Sequence, residues 1–359
     1  MLKFKEFSLL LEALLPVEID KQVVGTVDSG DESSINKIKR LAGSATDKQS
    51  IVSFLEGIGY PSVQANICFD DILSGPSSPK VAAYFAERTI ILEKIIGKIQ
   101  NGNTFNADLL GLDPKHSTLF WNFIWNTDPA TGPSEAWMSA MIKDGRRPDT
   151  KEKGDVRVGN LEIEVKASGG RIKGSDGLGS NKQIPDHLKI ALNNISNELK
   201  IKGFEVEDNR DPNKWNITTL KGGLLESNLQ KLASLKPKGF DKKDKILISS
   251  EIVNAYGNLL LDFDMTKYQS ILSDSIKDNG SLDVALFNTG LIELFYTHYY
   301  NRELFHYFCI SNTENGNFLI IDPSPISFMA QLKNGNIKIK SAPSFKDSRA
   351  NSFQIILAK

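Results

Sequence analysis

Lys153-Gly-Asp-Val-Arg-Val-Gly-Asn-Leu-Glu-Ile-Glu-Val-Lys-Ala167 is the segment on which the reading of the chain turns. Val156 and Val158 alternate with Asp155 and Arg157, and Leu161, Ile163 and Val165 alternate with Glu162, Glu164 and Lys166. Each run therefore has one apolar and one polar face, the period-two pattern of a half-buried strand. Gly159-Asn160 between them reads as a two-residue hairpin turn. Counting back from that turn sets Val158 against Leu161, Arg157 against Glu162, Val156 against Ile163 and Asp155 against Glu164, with Lys166 on the face of the two acids. A three-residue turn would set Asp155 against Val165 instead, so the register rests on the Gly-Asn turn.

Two carboxylates in direct cross-strand opposition, with β-carbons roughly 4.5–5.5 Å apart, destabilise a sheet. A divalent cation between them reverses the penalty, and Mg²⁺ is held by one or two carboxylates together with substrate phosphate oxygens and water. A lysine beside such an ion can orient or help deprotonate an attacking water and stabilise charge on a pentacovalent phosphate. The segment thus offers Asp155 and Glu164 as ligands for a divalent cation, with Lys166 beside it.

These residues resemble the PD-(D/E)xK nuclease superfamily, with its restriction-endonuclease-like fold. Asp155 matches the motif Asp, and Glu164-Val165-Lys166 matches the ExK triplet. The resemblance covers roughly residues 130–203. It implies an αβββαβ core, a Mg²⁺ cofactor for which Mn²⁺ can substitute, DNA as the substrate, and a homodimer where both strands are cut. It also implies a metal-associated role for Glu135, in Gly132-Pro-Ser-Glu-Ala-Trp-Met-Ser-Ala-Met141, on the helix before the hairpin. The residue before Asp155 is Gly154 rather than Pro, and a literal Pro148-Asp149 lies outside the hairpin. The triplet alone is weak evidence, since Glu198-Leu199-Lys200 repeats it in a helical stretch with no partnered Asp. The signal lies in the conjunction of strand Asp, turn length, shared face and upstream helical Glu.

Around this segment the pattern is that of a mixed α/β (α+β) chain. Apolar residues recur at helical spacing through residues 50–55, 63–73 and the long run 80–100, which predicts a helical N-terminal region over 1–115. Residues 116–359 then form the nuclease-like domain, with an insertion at about 205–300. A helix begins near Pro185, and the next strand signal is 305–311, so the last core strand lies beyond a helical insertion or is a short strand missed in between. The Gly-rich stretch 169–179 reads as a mobile loop beside the site, with Arg171, Lys173 and Lys182 as candidates for phosphate contacts. Further lysines between 221 and 245 add phosphate-binding charge if they flank the site. The aromatics of 119–125 read as core. Short apolar runs at 318–321, 326–332, 337–340 and 353–357 follow, with Asn334-Gly335-Asn336 as a hairpin turn between two of them.

Composition bounds the function. The 359 residues carry 43 Lys plus Arg against 44 Asp plus Glu, so bulk charge does not coat nucleic acid, and DNA affinity needs a confined basic face. Cys68 and Cys309 are far apart, and the four histidines fit neither a zinc spacing nor HExxH, which points to a reducing, cytoplasmic setting without structural zinc. Residues 1–15 are interrupted by Glu6 and Glu12, a poor secretory core and too short to span a bilayer, so no membrane role is expected. The expected activity is a Mg²⁺-dependent DNA endonuclease. The alternative from another class is a nucleic-acid-binding or virion-type structural protein that keeps the fold without strong catalysis.

Overall fold

The computed structural model describes residues 47–57, 62–70, 78–112, 117, 133–148, 154–175, 184–207, 223–256, 264–312, 316–344 and 351–358. Residues 1–15 and 119–125, together with Asp149, Lys182 and Lys221, lie outside them. The fold is mixed α/β. The chain divides into two compact units, Met1–Ile91 with Asn103–Arg147 and Leu92–Gly102 with Pro148–Lys359. Residues 133–147, grouped by the sequence with the nuclease-like domain, thus cluster with the first unit.

In the first unit, α1 (Asp47–Gly57), α2 (Ser62–Cys68) and α3 (Ser78–Glu87) precede α4 (Gly102–Leu110) and α5 (Pro133–Met141). Ile51, Phe54 and Leu55 of α1 and Val81, Ala82 and Phe85 of α3 are buried, with the Phe54 and Phe85 rings stacked at 4.3 Å. The apolar run 80–100 predicts one long helix, but α3 stops at Glu87. Arg88 takes a left-handed φ of +39° and turns its guanidinium inward, where it donates to the carbonyls of Ser139 (2.9 Å), Ile142 (3.2 Å) and Gly145 (2.7 Å). These carbonyls cluster at the end of α5, where unsatisfied oxygens and the helix dipole both favour a cation. The Tyr84 hydroxyl donates to the Met141 carbonyl nearby (2.6 Å). Arg88→Met should therefore lower stability by about 3 kcal/mol, since it strands buried carbonyls that a charged donor now satisfies. An unchanged urea midpoint would show that Arg88 does not hold this end of α5.

In the second unit, one sheet contains β1 (Gln100–Asn101), β2 (Val156–Val158), β3 (Leu161–Ala167), β5 (Tyr307–Ser311) and β6 (Asn317–Ile321), adjacent in the order β1-β6-β5-β3-β2. The hairpin pairs as counted, Val156 with Ile163, Arg157 with Glu162 and Val158 with Leu161. Gly159 opens the turn at φ +59°, the positive value that a primed hairpin turn requires at that position. β5 runs parallel to β3, from Ile163 opposite Tyr307 to Ala167 opposite Ser311. The strand signal at 305–311 therefore does lie beside the ExK strand, across a helical insertion. Phe308, Cys309, Ile310, Leu319, Ile320 and Ile321 are all buried, as expected of central strands covered on both faces.

The insertion and its flanks supply α6 (Ile184–Glu198), α7 (Leu224–Ser234), α8 (Lys242–Tyr256), α9 (Met265–Ser275) and α10 (Val284–Glu303). Their apolar faces join one core: Leu192, Leu229, Ile252, Leu291 and Phe295 cluster with Phe308 and Ile310 of β5. A β-carbon on Gly290 would come within 2.6 Å of the Ile271 side chain, so glycine lets α9 and α10 approach. Tyr296 of α10 stacks on Phe328 at 3.8 Å and meets Phe308 edge-on at 5.7 Å.

Three expectations change. Residues 326–332 are not a strand but part of α11 (Pro325–Lys333), whose N-terminus is capped by the Ser324 hydroxyl accepting from the Ser327 N–H (3.3 Å), with Pro325 at the first position. Gly335, at φ +77°, follows that helix rather than forming a hairpin. Arg171 and Lys173 do not belong to a mobile loop. They lie on β4 (Arg171–Ser175), which with β7 (Ile337–Ser344) and β8 (Asn351–Leu357) builds a second sheet in the order β4-β8-β7. Ile172 of β4 is fully buried opposite Phe353, and this distant partner makes the strand. Among the described residues no helix is long and apolar enough to cross a membrane.

Candidate active site

The site is built on the β2–β3 hairpin. Ile163 and Val165 turn one way from β3 and are buried, while Glu162, Glu164 and Lys166 turn the other. The paired ladder ends at Val156 and Ile163, so Asp155 is not the direct cross-strand partner of Glu164 that counting predicts. Instead the Asp155 N–H donates to the Ile163 carbonyl (3.0 Å), and Asp155 Oδ2 accepts from the Val165 N–H (2.8 Å). Gly154 bends the chain at φ +78°, and a β-carbon there would lie 3.3 Å from Glu162 Cβ. The carboxylate thus takes the bond that the ending ladder leaves open on β3. This removes the direct opposition of like charges that a continued ladder would impose.

Lys166 holds the two acids together. Its ammonium pairs with Glu164 Oε1, lies 3.7 Å from Asp155 Oδ2 and donates to the Val165 carbonyl at 3.2 Å. From α10, the Tyr299 hydroxyl donates to the same Glu164 Oε1. The Tyr299 ring lies under two cations, with Lys166 Nζ 5.8 Å and the Arg302 guanidinium 5.7 Å from its centroid. One positive charge therefore touches two carboxylates and a backbone carbonyl, all hard oxygen donors.

That donor set fits Mg²⁺ or Mn²⁺, which take carboxylate and carbonyl oxygens and complete their shell with water and substrate phosphate. Among the described residues no group of three or more His, Cys, Asp and Glu side chains is gathered for a metal. The side-chain carboxylates that this hairpin could offer a metal are those of Asp155 and Glu164.

Burial pushes the Glu164 carboxyl up from its ordinary 4.5; the Lys166 charge opposes this, the Asp155 charge adds to it, and hydrogen bonds from Lys166 and Tyr299 oppose it. Burial also raises Tyr299, helped by the Glu164 charge, so its hydroxyl stays a donor. The sign for stability follows from the raised Glu164 value. Folding favours its neutral form, so its contribution is fully present below the unfolded carboxyl value and is lost as pH rises through the raised one. In the metal-free protein, Glu164→Gln should then lose less melting temperature than wild type as pH rises from about 4.5 toward neutrality. Parallel pH curves for the two proteins would contradict the raised value.

The remaining expected residues fall as follows. Glu135 sits half-buried in the first turn of α5, in the first unit, whereas Asp155, Glu164 and Lys166 belong to the second. Arg171 and Lys173 are exposed on β4. Glu162 pairs with Arg157 at 2.7 Å, as the count predicts, and its N–H donates to His306 Nδ1 (3.2 Å). Of the lysines between 221 and 245, Lys231 pairs with Glu207 (3.2 Å), Lys245 with Asp278 (2.7 Å) and Lys236 with Asp244, while Lys238, Lys242 and Lys243 are exposed.

Tyr299 is the site residue that sequence reasoning misses. It lies in the aromatic stretch 295–306, where buried Phe295, Tyr296 and Tyr299 share a helical spacing that reads simply as packing. Its distance of 135 positions from Glu164 leaves no local signal. A scan against protein-family models and searches of curated proteins and solved structures found no match to the chain.

Proposed function

We propose that the chain is a Mg²⁺-dependent DNA endonuclease that hydrolyses phosphodiester bonds at the β2–β3 hairpin. The observation that carries this is the Lys166 ammonium held by Asp155, Glu164 and the Val165 carbonyl, a focus of oxygen donors around positive charge. Asp155, Glu164 and the Val165 carbonyl would hold the metal. When bound, the metal supplies Lewis-acid stabilisation of phosphoryl charge and a lowered pKa for a coordinated water.

The protein's own groups do the rest. Tyr299 fixes one oxygen of Glu164, and the Val165 N–H fixes one oxygen of Asp155, so each acid presents its remaining lone pairs in a set direction. Lys166, once it leaves the acids, stays within reach of the same spot to orient water and neutralise phosphate charge. Cys68 and Cys309 are buried and not joined in a disulfide, which suits the reducing cytoplasmic setting proposed for the chain.

A second reading draws on the same contact. Lys166 already neutralises Glu164, so the cluster is also satisfied without metal, as it would be in a nucleic-acid-binding or virion-type structural protein. The purified full chain, incubated with supercoiled, linear and single-stranded DNA in Mg²⁺, Mn²⁺ and chelator, separates the two. Cleavage that needs the metal supports the endonuclease. Absence of both cleavage and Mn²⁺ binding supports the structural protein.

A further inference from the structure

The outward face of the β4-β8-β7 sheet carries charge that the site does not use. Ile172, Phe353, Ile355, Leu357 and Ile337 turn inward and are buried. Arg171, Lys173, Lys338 and Lys340 are exposed, and the strands Arg171–Ser175, Ile337–Ser344 and Asn351–Leu357 contain no Asp or Glu. In a chain of net charge -1, four cations on three acid-free strands are a strong local concentration. Among the described residues none of the four has an ion-pair partner, in contrast to Lys231, Lys236 and Lys245.

This face is joined to the strand of Glu164 and Lys166 by a short turn that contains Gly169 and Gly170. Gly169 and Gly170 follow Lys166-Ala167-Ser168, and the Gly169 N–H donates to the Ile355 carbonyl of β8 (2.6 Å) while the Ile355 N–H donates to the Gly170 carbonyl (3.2 Å). A β-carbon on Gly170 would lie 2.7 Å from the Ala167 carbonyl and 3.3 Å from Lys166 Cβ. A β-carbon on Gly169 would lie 3.3 Å from Lys340 Nζ. The Lys340 ammonium thus lies close to the turn that follows Lys166-Ala167, and Arg171 is the first strand residue after that turn. Arg171 and Lys173 are two strand residues apart, about 7 Å, as are Lys338 and Lys340.

We infer that this face is a DNA-backbone binding surface continuing from Lys166, with Arg171, Lys173, Lys338 and Lys340 as its phosphate contacts. It deepens the endonuclease reading, since it names the surface along which that site's substrate runs. Exposed cations without acids suit a polyanion, and the outward residues between them, Gln354 and Ile356, are half-buried and low enough for the longer side chains to reach over.

The test uses the full chain in chelator, a fluorescein-labelled oligonucleotide duplex and its single strand, and a salt series. Lys338→Gln with Lys340→Gln, and separately Arg171→Gln with Lys173→Gln, should weaken duplex binding roughly tenfold or more near 0.1 M salt. Each pair should also flatten the log-affinity against log-salt slope by about 1.8 on duplex or about 1.4 on single strand, as expected for two lost phosphate contacts. Lys94→Gln with Lys98→Gln, exposed lysines elsewhere, should change neither. Unchanged affinity and slope in the Lys338 and Lys340 variant, or an equal loss in the control, would overturn the surface. If wild type cleaves DNA and the surface variants bind as it does, the surface falls and the nuclease reading stands. If no form of DNA is cleaved but the variants lose binding, the surface stands and the nuclease reading falls. Failure of wild type to bind either DNA overturns both.

Discussion

Asp155→Asn and Glu164→Gln should each reduce metal-dependent DNA cleavage by about three orders of magnitude or more, while DNA binding in chelator holds or tightens. Each substitution removes one of two carboxylate ligands and with it several kcal/mol of transition-state stabilisation, and each 1.36 kcal/mol is about a tenfold change in rate. Binding need not suffer, because a metal-free carboxylate repels phosphate. The site also grades its supporting residues. Tyr299→Phe leaves Glu164 in place without the hydroxyl that fixes its Oε1, and such a loss costs about 10–100-fold in metal affinity or activity. Glu162→Ala is the control, since its carboxylate is engaged by Arg157 at 2.7 Å. Equal cleavage by wild type and the Asp155 and Glu164 variants on every DNA form would leave the catalytic reading without support.

What the sequence reveals here follows from which interactions are local. The hairpin register is legible because a two-residue turn and period-two alternation are both set within 13 residues, and the three observed pairs from Val156 to Val158 are the counted ones. The fourth pair fails because Gly154 bends away and the Asp155 side chain, rather than its backbone, completes the edge. Alternation cannot report that exchange. Residues 326–332 mislead because a short apolar run fits a strand and a helix equally; Ser324-Pro325 just before it is the helix-start signal that decides. Arg171–Ser175 misleads for the opposite reason, as two flanking glycines and one apolar residue resemble a loop until Asn351–Leu357 supplies a partner. The contribution of Tyr299 depends wholly on how α10 packs against β3, which no local pattern encodes.

Lys166→Met should destabilise the metal-free protein strongly and show the clearest dependence on metal. It keeps much of the aliphatic length but removes the ammonium that pairs with Glu164 and lies 3.7 Å from Asp155. Breaking a buried ion pair on one side costs about 3–5 kcal/mol, and because Lys166 is partly exposed the lower end of that range applies. Without the lysine, the strongest influence holding Glu164 down is gone, so its carboxyl should rise further and the penalty should shrink as pH falls and the acid takes up a proton. Mn²⁺ should then raise the melting temperature of Lys166→Met more than that of wild type. In the variant the cation enters an empty focus of oxygens, whereas in wild type it must displace an ammonium. At a hundredfold excess over the dissociation constant, binding to the folded state alone contributes about 2.7 kcal/mol, enough to recover most of the loss. Cleavage should remain abolished even when stability is restored, because the group that orients the water is missing. A Lys166→Met protein that is destabilised but gains nothing from Mn²⁺ or Mg²⁺ would mark the two acids as a structural charge cluster, neutralised by lysine and not designed to exchange it for a metal.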